Sequence, residues 1–270
     1  MKITKVIARE IIDSRGNPTI ECEIILNEKW LGRASVPSGA STGIHEALEL
    51  RDGDNLRFFG KGVLKAVNNI NENIQSKIIN KKFESTDKFD DFLIELDGTK
   101  NKSNLGANTI LAASLAFARS LAKSQSKKFY EFLSKDNIFT LPVPMMNIIN
   151  GGSHADNSVD IQEFMIAPVG AKNFKESLRY GCEVFHSLKS LLKNKNYNTN
   201  VGDEGGFAPN IKNSNEVIEI IIKAVEISGL KIGKDVLLSL DIASTEFFND
   251  GIYNLAGEDK KFNSDEMVEY

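Results

Sequence analysis

The chain has 270 residues, 41% of them hydrophobic and 26% charged, with a net charge of −4 and a pI near 5.6. That is enough apolar material for one large core or two modest ones, and the acidic balance argues against nucleic acid as the main partner. No stretch approaches the roughly 20 apolar residues of a membrane span.

The first ten residues alternate polar and apolar and lack the apolar run of a signal peptide. The only cysteines, Cys22 and Cys182, stand far apart in no metal or redox spacing, which fits a reducing compartment. A cytoplasmic protein is the expectation. In chain order, Ile3 to Ile12 and Ile20 to Leu26 predict two strands about the turn Asp13-Ser14-Arg15-Gly16-Asn17-Pro18. A third strand is expected over Trp30 to Val36, before the loop Pro37-Ser38-Gly39-Ala40-Ser41-Thr42-Gly43. Helical spacing then recurs at Val63, Val67, Ile70 and Ile74, at Phe89, Phe92, Leu93 and Leu96, and across Asn108 to Lys123. Strands followed by helices predict an α+β domain over residues 1–135.

Residues 136–270 have a different pattern. Val143 to Ile149, Ile161 to Ala167 and Val236 to Asp241 are buried-strand candidates. Between the last two, a helix is expected over Phe174 to Lys193, opened by Asn173 and Glu176, and another over Ser214 to Ser228, stopped at Gly229. Strand–helix alternation of this kind predicts a parallel α/β structure. Ser264-Asp265-Glu266 is a good helix start, yet the chain ends six residues after Ser264, and so short a helix is marginal.

Several familiar signatures fail. The glycine-rich loop at Gly39 has no Gly-Lys-Ser/Thr after it, and His45-Glu46 lacks the second histidine of a zinc protease. Lys77, Lys81, Lys82 and Lys88 are interrupted by acids and describe a solvated face. Four positions keep two readings open. Asp241 closes an apolar strand, where ligands gather in parallel α/β proteins, but a turn aspartate would look the same. Glu163 shares a strand face with apolar neighbours, which suits a raised pKa, but an exposed edge would also accommodate it. Glu204, within Gly202-Asp203-Glu204-Gly205-Gly206, and His154, after Gly151-Gly152-Ser153, are ligand contacts or ordinary loop residues.

Together these strings resemble enolase along essentially the whole chain. The segments that carry the resemblance include Asp13 to Thr19, Pro37 to Gly43, Glu49 to Asp54 and Asn104 to Asn108. Pro142 to Ala171, Val201 to Asn210 and Ser239 to Phe247 complete the set, in the family's order. The resemblance implies an α+β N-terminal capping domain followed by an enolase-type α/β TIM-like barrel. It also implies reversible dehydration of 2-phosphoglycerate to phosphoenolpyruvate, in glycolysis and gluconeogenesis. Removing the C2 proton beside a carboxylate builds a doubly charged enediolate, whose charge two Mg2+ ions offset, and the departing hydroxide then needs a general acid.

By that resemblance Glu204 is the proton donor and Glu163 its acidic helper. His154 and Gln162 contact substrate, Asp241 is a magnesium ligand, and Ser41 is the lid residue that reaches the second metal. A homodimer or larger homo-oligomer is implied, with no nucleic acid and no membrane span; a signal-less surface fraction is known among such proteins. A barrel of this type takes about 250 residues, so about 115 would lie beyond residue 270, among them the base lysine and the phosphate-binding residues. The barrel is therefore expected to be incomplete and the isolated chain inactive. The alternative is a short, non-catalytic binding protein derived from an enolase, against which the joint presence of Ser41, Glu163, Glu204 and Asp241 counts.

Overall fold

A computed structural model describes every residue except Ser38, Ala40, Ser41 and Asn137. The chain divides into two compact units, the first comprising Met1–Gly39 and His45–Phe139 and the second built on Thr140–Tyr270.

In the first unit, strands β1 (Ile3–Ile12), β2 (Pro18–Leu26) and β3 (Trp30–Ser35) form an antiparallel meander with β2 in the middle. Its first turn is pinned by Asp13, whose Oδ1 accepts from the backbone N–H groups of Arg15 and Asn17 at 2.9 and 2.8 Å. Strand alternation sorts the two faces. Val6, Ala8, Ile20, Cys22, Ile24 and Ala34 are buried, while Arg9, Glu21, Glu23 and Arg33 form an ion-pair ladder on the other face.

The buried face is covered by helices. The run α1 (Leu64–Asn68), a π-turn over Asn69–Ile74 and α2 (Gln75–Ile78) bury Val67, Ile70, Ile74 and Ile78. Helix α3 (Thr86–Asp97) starts where the Ser85 side chain accepts from Lys88 N–H, and it buries Phe89 and Leu93. Helix α4 (Ala107–Ser124) owes its close approach to the sheet to alanines, and to Gly32 on β3. A Cβ on Gly32 would overlap the Ala116 carbonyl oxygen and the Ser120 nitrogen. The short helix α5 (Phe129–Leu133) ends the unit's regular structure.

The second unit holds β4 (Met146–Asn150), β5 (Glu163–Ala167), helices α6 (Phe174–Asn194) and α7 (Ser214–Ile227), and β6 (Leu237–Asp241). The cap anticipated at Asn173 forms, its side chain accepting from Glu176 N–H, and Asn213 accepts from Glu216 N–H in the same way. Phe164, Ile166, Val184, Leu188, Ile220 and Ile221 share one core.

The expectation of a parallel sheet is corrected here. The order is β4-β5-β6 and both pairings are antiparallel. The reason is connectivity. No helix lies between β4 and β5, and two helices, α6 and α7, lie between β5 and β6, so the chain is returned to the end it left. A single crossover helix would have produced a parallel neighbour.

Beyond β6, the strands β7 (Phe248–Asn249), β8 (Ile252–Leu255) and β9 (Lys260–Phe262) make a small antiparallel sheet that the sequence pattern did not reveal. Its first turn is Asp250-Gly251, both with positive φ. The short helix α8 (Ser264–Glu269) forms because Asn263 and Glu266 cap each other's backbone, and because the Tyr270 hydroxyl donates to Glu258 at 2.7 Å. None of the described helices is long and apolar enough to cross a membrane.

Candidate active site

Because β4 and β6 both run against β5, they are parallel to each other, and their C-terminal ends meet the start of β5. One register row across the sheet is therefore Asn150, Glu163 and Asp241. Glu163 shares its half-buried face with Met165 and Ala167, while Phe164 and Ile166 point into the helix-covered core. Strand pairing alone thus sets two carboxylates side by side at one end of the sheet.

Two loops complete the site. The first leaves β4 through a 3-10 turn, Gly152–His154, and buries His154 to 5% exposure. The second carries Glu204, whose side chain remains 45% exposed. The loops are tied together where Asp203 N–H donates to the His154 carbonyl at 3.2 Å, and where the Asn157 amide donates to both Asn150 and Pro209 carbonyls at 2.9 and 3.1 Å. Phe207, just past the second loop, bridges in parallel to Ile149 and so anchors that loop to β4.

The result is a tight triad. His154 Nδ1 lies 3.4 Å from Glu163 Oε1 and 3.6 Å from Glu204 Oε2. Donor atoms of all three residues fall within 4.8 Å of one another. The imidazole nitrogen is buried and has no hydrogen-bond partner among the described residues. Burial pushes Glu163 up to about 8, and the hydrogen bond to Glu204 and the negative charges of Glu204 and Asp241 push in the same direction. Two carboxyls this close retain a proton between them at neutral pH.

Gln162 is almost fully buried, and its carboxamide is engaged at both ends. Its Oε1 accepts from Ser153 Oγ at 2.9 Å and its Nε2 faces Asp241 Oδ2 at 3.4 Å. Asp241 itself makes the turn contact that the sequence left open, since Oδ1 accepts from Ala243 N–H at 3.1 Å, and its second oxygen faces the site. A cavity of about 350 Å³ opens beside the triad, bounded by His154, Asp156, Asn200, Gly202 and Asp203.

Five of the six sequence-derived site residues thus lie around one sheet end. Ser41, the sixth, lies outside the described residues. Sequence reasoning passed over Asn150, Ser153 and Asn157, which orient the others. Their signal was the density of Asn and Ser around Gly151-Gly152, which composition alone cannot separate from a plain loop.

An α+β domain followed by the opening strands and helices of a barrel, with carboxyls gathered at one end of the sheet, is the architecture of a two-domain α/β-barrel protein. The family model for the enolase N-terminal domain matches residues 3–133, and that for the enolase C-terminal TIM barrel domain matches residues 138–270. The chain belongs to the enolase family.

Proposed function

We propose that this chain contributes the acid half of a site that interconverts 2-phosphoglycerate and phosphoenolpyruvate. Glu204 is the proton donor to the departing hydroxyl, and Glu163 keeps that proton available. The supporting observation is the raised Glu163 carboxyl hydrogen-bonded to Glu204, because a coupled pair of this kind holds at neutral pH the proton a general acid must deliver.

In the dehydration direction the C2–H bond breaks and its proton goes to a base outside this triad. The C3–O bond then breaks, and the oxygen takes the proton from Glu204 and leaves as water. His154 presents a buried nitrogen without a hydrogen-bond partner among the described residues toward the two acids, and its ring is the proposed contact to a polar substrate. Gln162 holds Asp241 and Ser153 in place and shapes the same wall.

Magnesium favours hard oxygen donors. Asp241 fits that requirement, being an exposed carboxylate with one oxygen fixed by Ala243 N–H. The triad fits it less well because one of its three donors is an imidazole nitrogen. Asp241 would therefore hold the ion, with Ser41 as the proposed contact to a second. When bound, magnesium supplies a counter-charge for the substrate carboxylate. The same reading makes the protein a cytoplasmic homo-oligomer.

Assays on two forms of the protein test this. The 270-residue chain with Mg2+ and 2-phosphoglycerate is expected to give no phosphoenolpyruvate, and magnesium-dependent conversion would overturn the assignment of the base to a residue outside it. Joined to the remaining barrel segments of an enolase-family C-terminal domain, it is expected to turn over. There Glu204→Gln should lower kcat by about 10²- to 10⁴-fold with KM little changed. Undiminished kcat in that variant would overturn the role of Glu204.

A further inference from the structure

Asn150 is fully buried at the last position of β4, opposite Glu163 in the strand register. Its environment is unusual for a strand-end asparagine, because every polar group it owns is spent on the two loops of the site or on the strand beneath them. The backbone N–H donates to the Phe207 carbonyl at 2.8 Å, and the backbone carbonyl accepts from Asn157. The carboxamide Nδ2 donates to the Gly206 carbonyl at 3.3 Å, and Oδ1 accepts from Asn147.

The glycines on either side of Glu204 show why an amide occupies this position. A Cβ on Gly202 would overlap Asn150 Nδ2 and come within 2.6 Å of the His154 carbonyl. A Cβ on Gly206 would come within 2.9 Å of Asn150 Oδ1. Gly202 N–H donates to the same Gly206 carbonyl at 2.9 Å, closing the base of the loop over Asp203, Glu204 and Gly205. The two glycines are therefore seated against the two ends of one carboxamide, and the Glu204 loop rises from that seat.

We propose that Asn150 is a positioning residue for the proton-donor pair. By gripping the base of the loop between Gly202 and Gly206, its carboxamide sets where Glu204 stands relative to Glu163 and His154. The role is specific to an amide. An aspartate of the same shape would turn the donor that meets the Gly206 carbonyl into an acceptor, and would bury a third carboxylate in the row that already holds Glu163 and Asp241. The inference rests on Glu204 being the proton donor for its meaning, but not for its test.

The test is NMR of the 270-residue chain with labelled histidine and glutamate, following the contact between the His154 ring and the Glu204 side chain. In Asn150→Asp and Asn150→Ala that contact should be lost and the His154 ring resonances displaced, while the resonances of α6 and α7 stay put. Asn157→Ala, which removes three loop hydrogen bonds without touching the Asn150 carboxamide, should keep the contact. An unchanged contact in the Asn150 variants, or its equal loss in Asn157→Ala, overturns the proposal. Should both Asn150 variants fail to fold, Asn147→Ala frees only the Oδ1 end from a half-buried neighbour. A weakened contact there supports the proposal and an unaltered one refutes it. Loss of the contact in Asn150→Asp together with full kcat in Glu204→Gln would leave Asn150 as the positioner of Glu204 and dismiss Glu204 as the donor.

Discussion

Glu10 and Asp97 in the first unit and Glu163 in the second are treated in opposite ways. In the first, Glu10 is held below the usual carboxylate range, chiefly by hydrogen bonding to Arg57, with the Val63 N–H adding to it. Asp97 is nearly inaccessible, and burial works to raise it, yet hydrogen bonds from Leu105, Thr99 and Asn104 bring it below its ordinary value. In the second unit, among the described residues, neither a lysine nor an arginine pairs with Glu163. Its neighbours are a second glutamate and an aspartate, and its carboxyl is driven upward. The first arrangement favours the ionised carboxyl and the second the protonated one, the contrast expected between a structural and a proton-donating use of the same side chain.

Four measurements would break or sharpen that contrast, beginning with the largest effect. Gly32→Ala should cost about 3 kcal/mol or more, because the methyl has backbone of α4 in its way, and urea unfolding would measure it. A negligible cost would mean that the first unit is not tightly closed and would weaken the whole comparison. Asp97→Ala should cost about 2–3 kcal/mol by leaving the N–H groups of Thr99 and Leu105 without their acceptor. A similar loss from Glu163→Ala would erase the distinction between the units.

Glu163→Gln should act with the opposite sign. A folded-state value near 8, against an ordinary 4.5, means that ionising Glu163 costs folding free energy. That cost is absent below pH 4.5, grows between 4.5 and about 8, and is constant above. The variant should therefore melt about 2–4 °C above the parent at pH 8 and together with it at pH 4. Equal melting at both pH values would remove the claim that the site stores a cost. The smallest effect is Glu10→Gln. Since the folded value of Glu10 is depressed, its contribution is present above pH 4.5 and is lost as pH falls through that lower value. The variant should melt a few degrees lower at neutral pH, and the gap should close on acidification.

Much of the fold was legible in local pattern. The first three strands follow period-two alternation with turn residues at Asp13 and Gly16, and α6 begins at the Asn-x-x-Glu cap that announces it. Strand direction in the second unit was not legible, because a run such as Val236 to Leu240 is equally apolar whether its neighbour is parallel or antiparallel. The small sheet over Phe248–Phe262 was missed because its strands are two to four residues long, too short to show a period. Glu163, His154, Glu204 and Asp241 were each visible as candidates, but every one had an ordinary explanation until the strings were taken together, and Gln162 entered only with the resemblance.

The sequence by itself determined most of the longer strands and helices, which residues can carry charge, and the family to which the chain belongs. These depend on neighbours within a few positions or on ordered strings, both of which are present in one dimension. Only the tertiary structure decided that Asn150, Glu163 and Asp241 share a row, that His154 and Glu204 close on the same point, and that a buried carboxamide stands beneath the Glu204 loop. Those relations join residues 13 to 91 positions apart, and they arise because two helices return the chain antiparallel to β5 and because glycines allow backbone to approach where any side chain would block it.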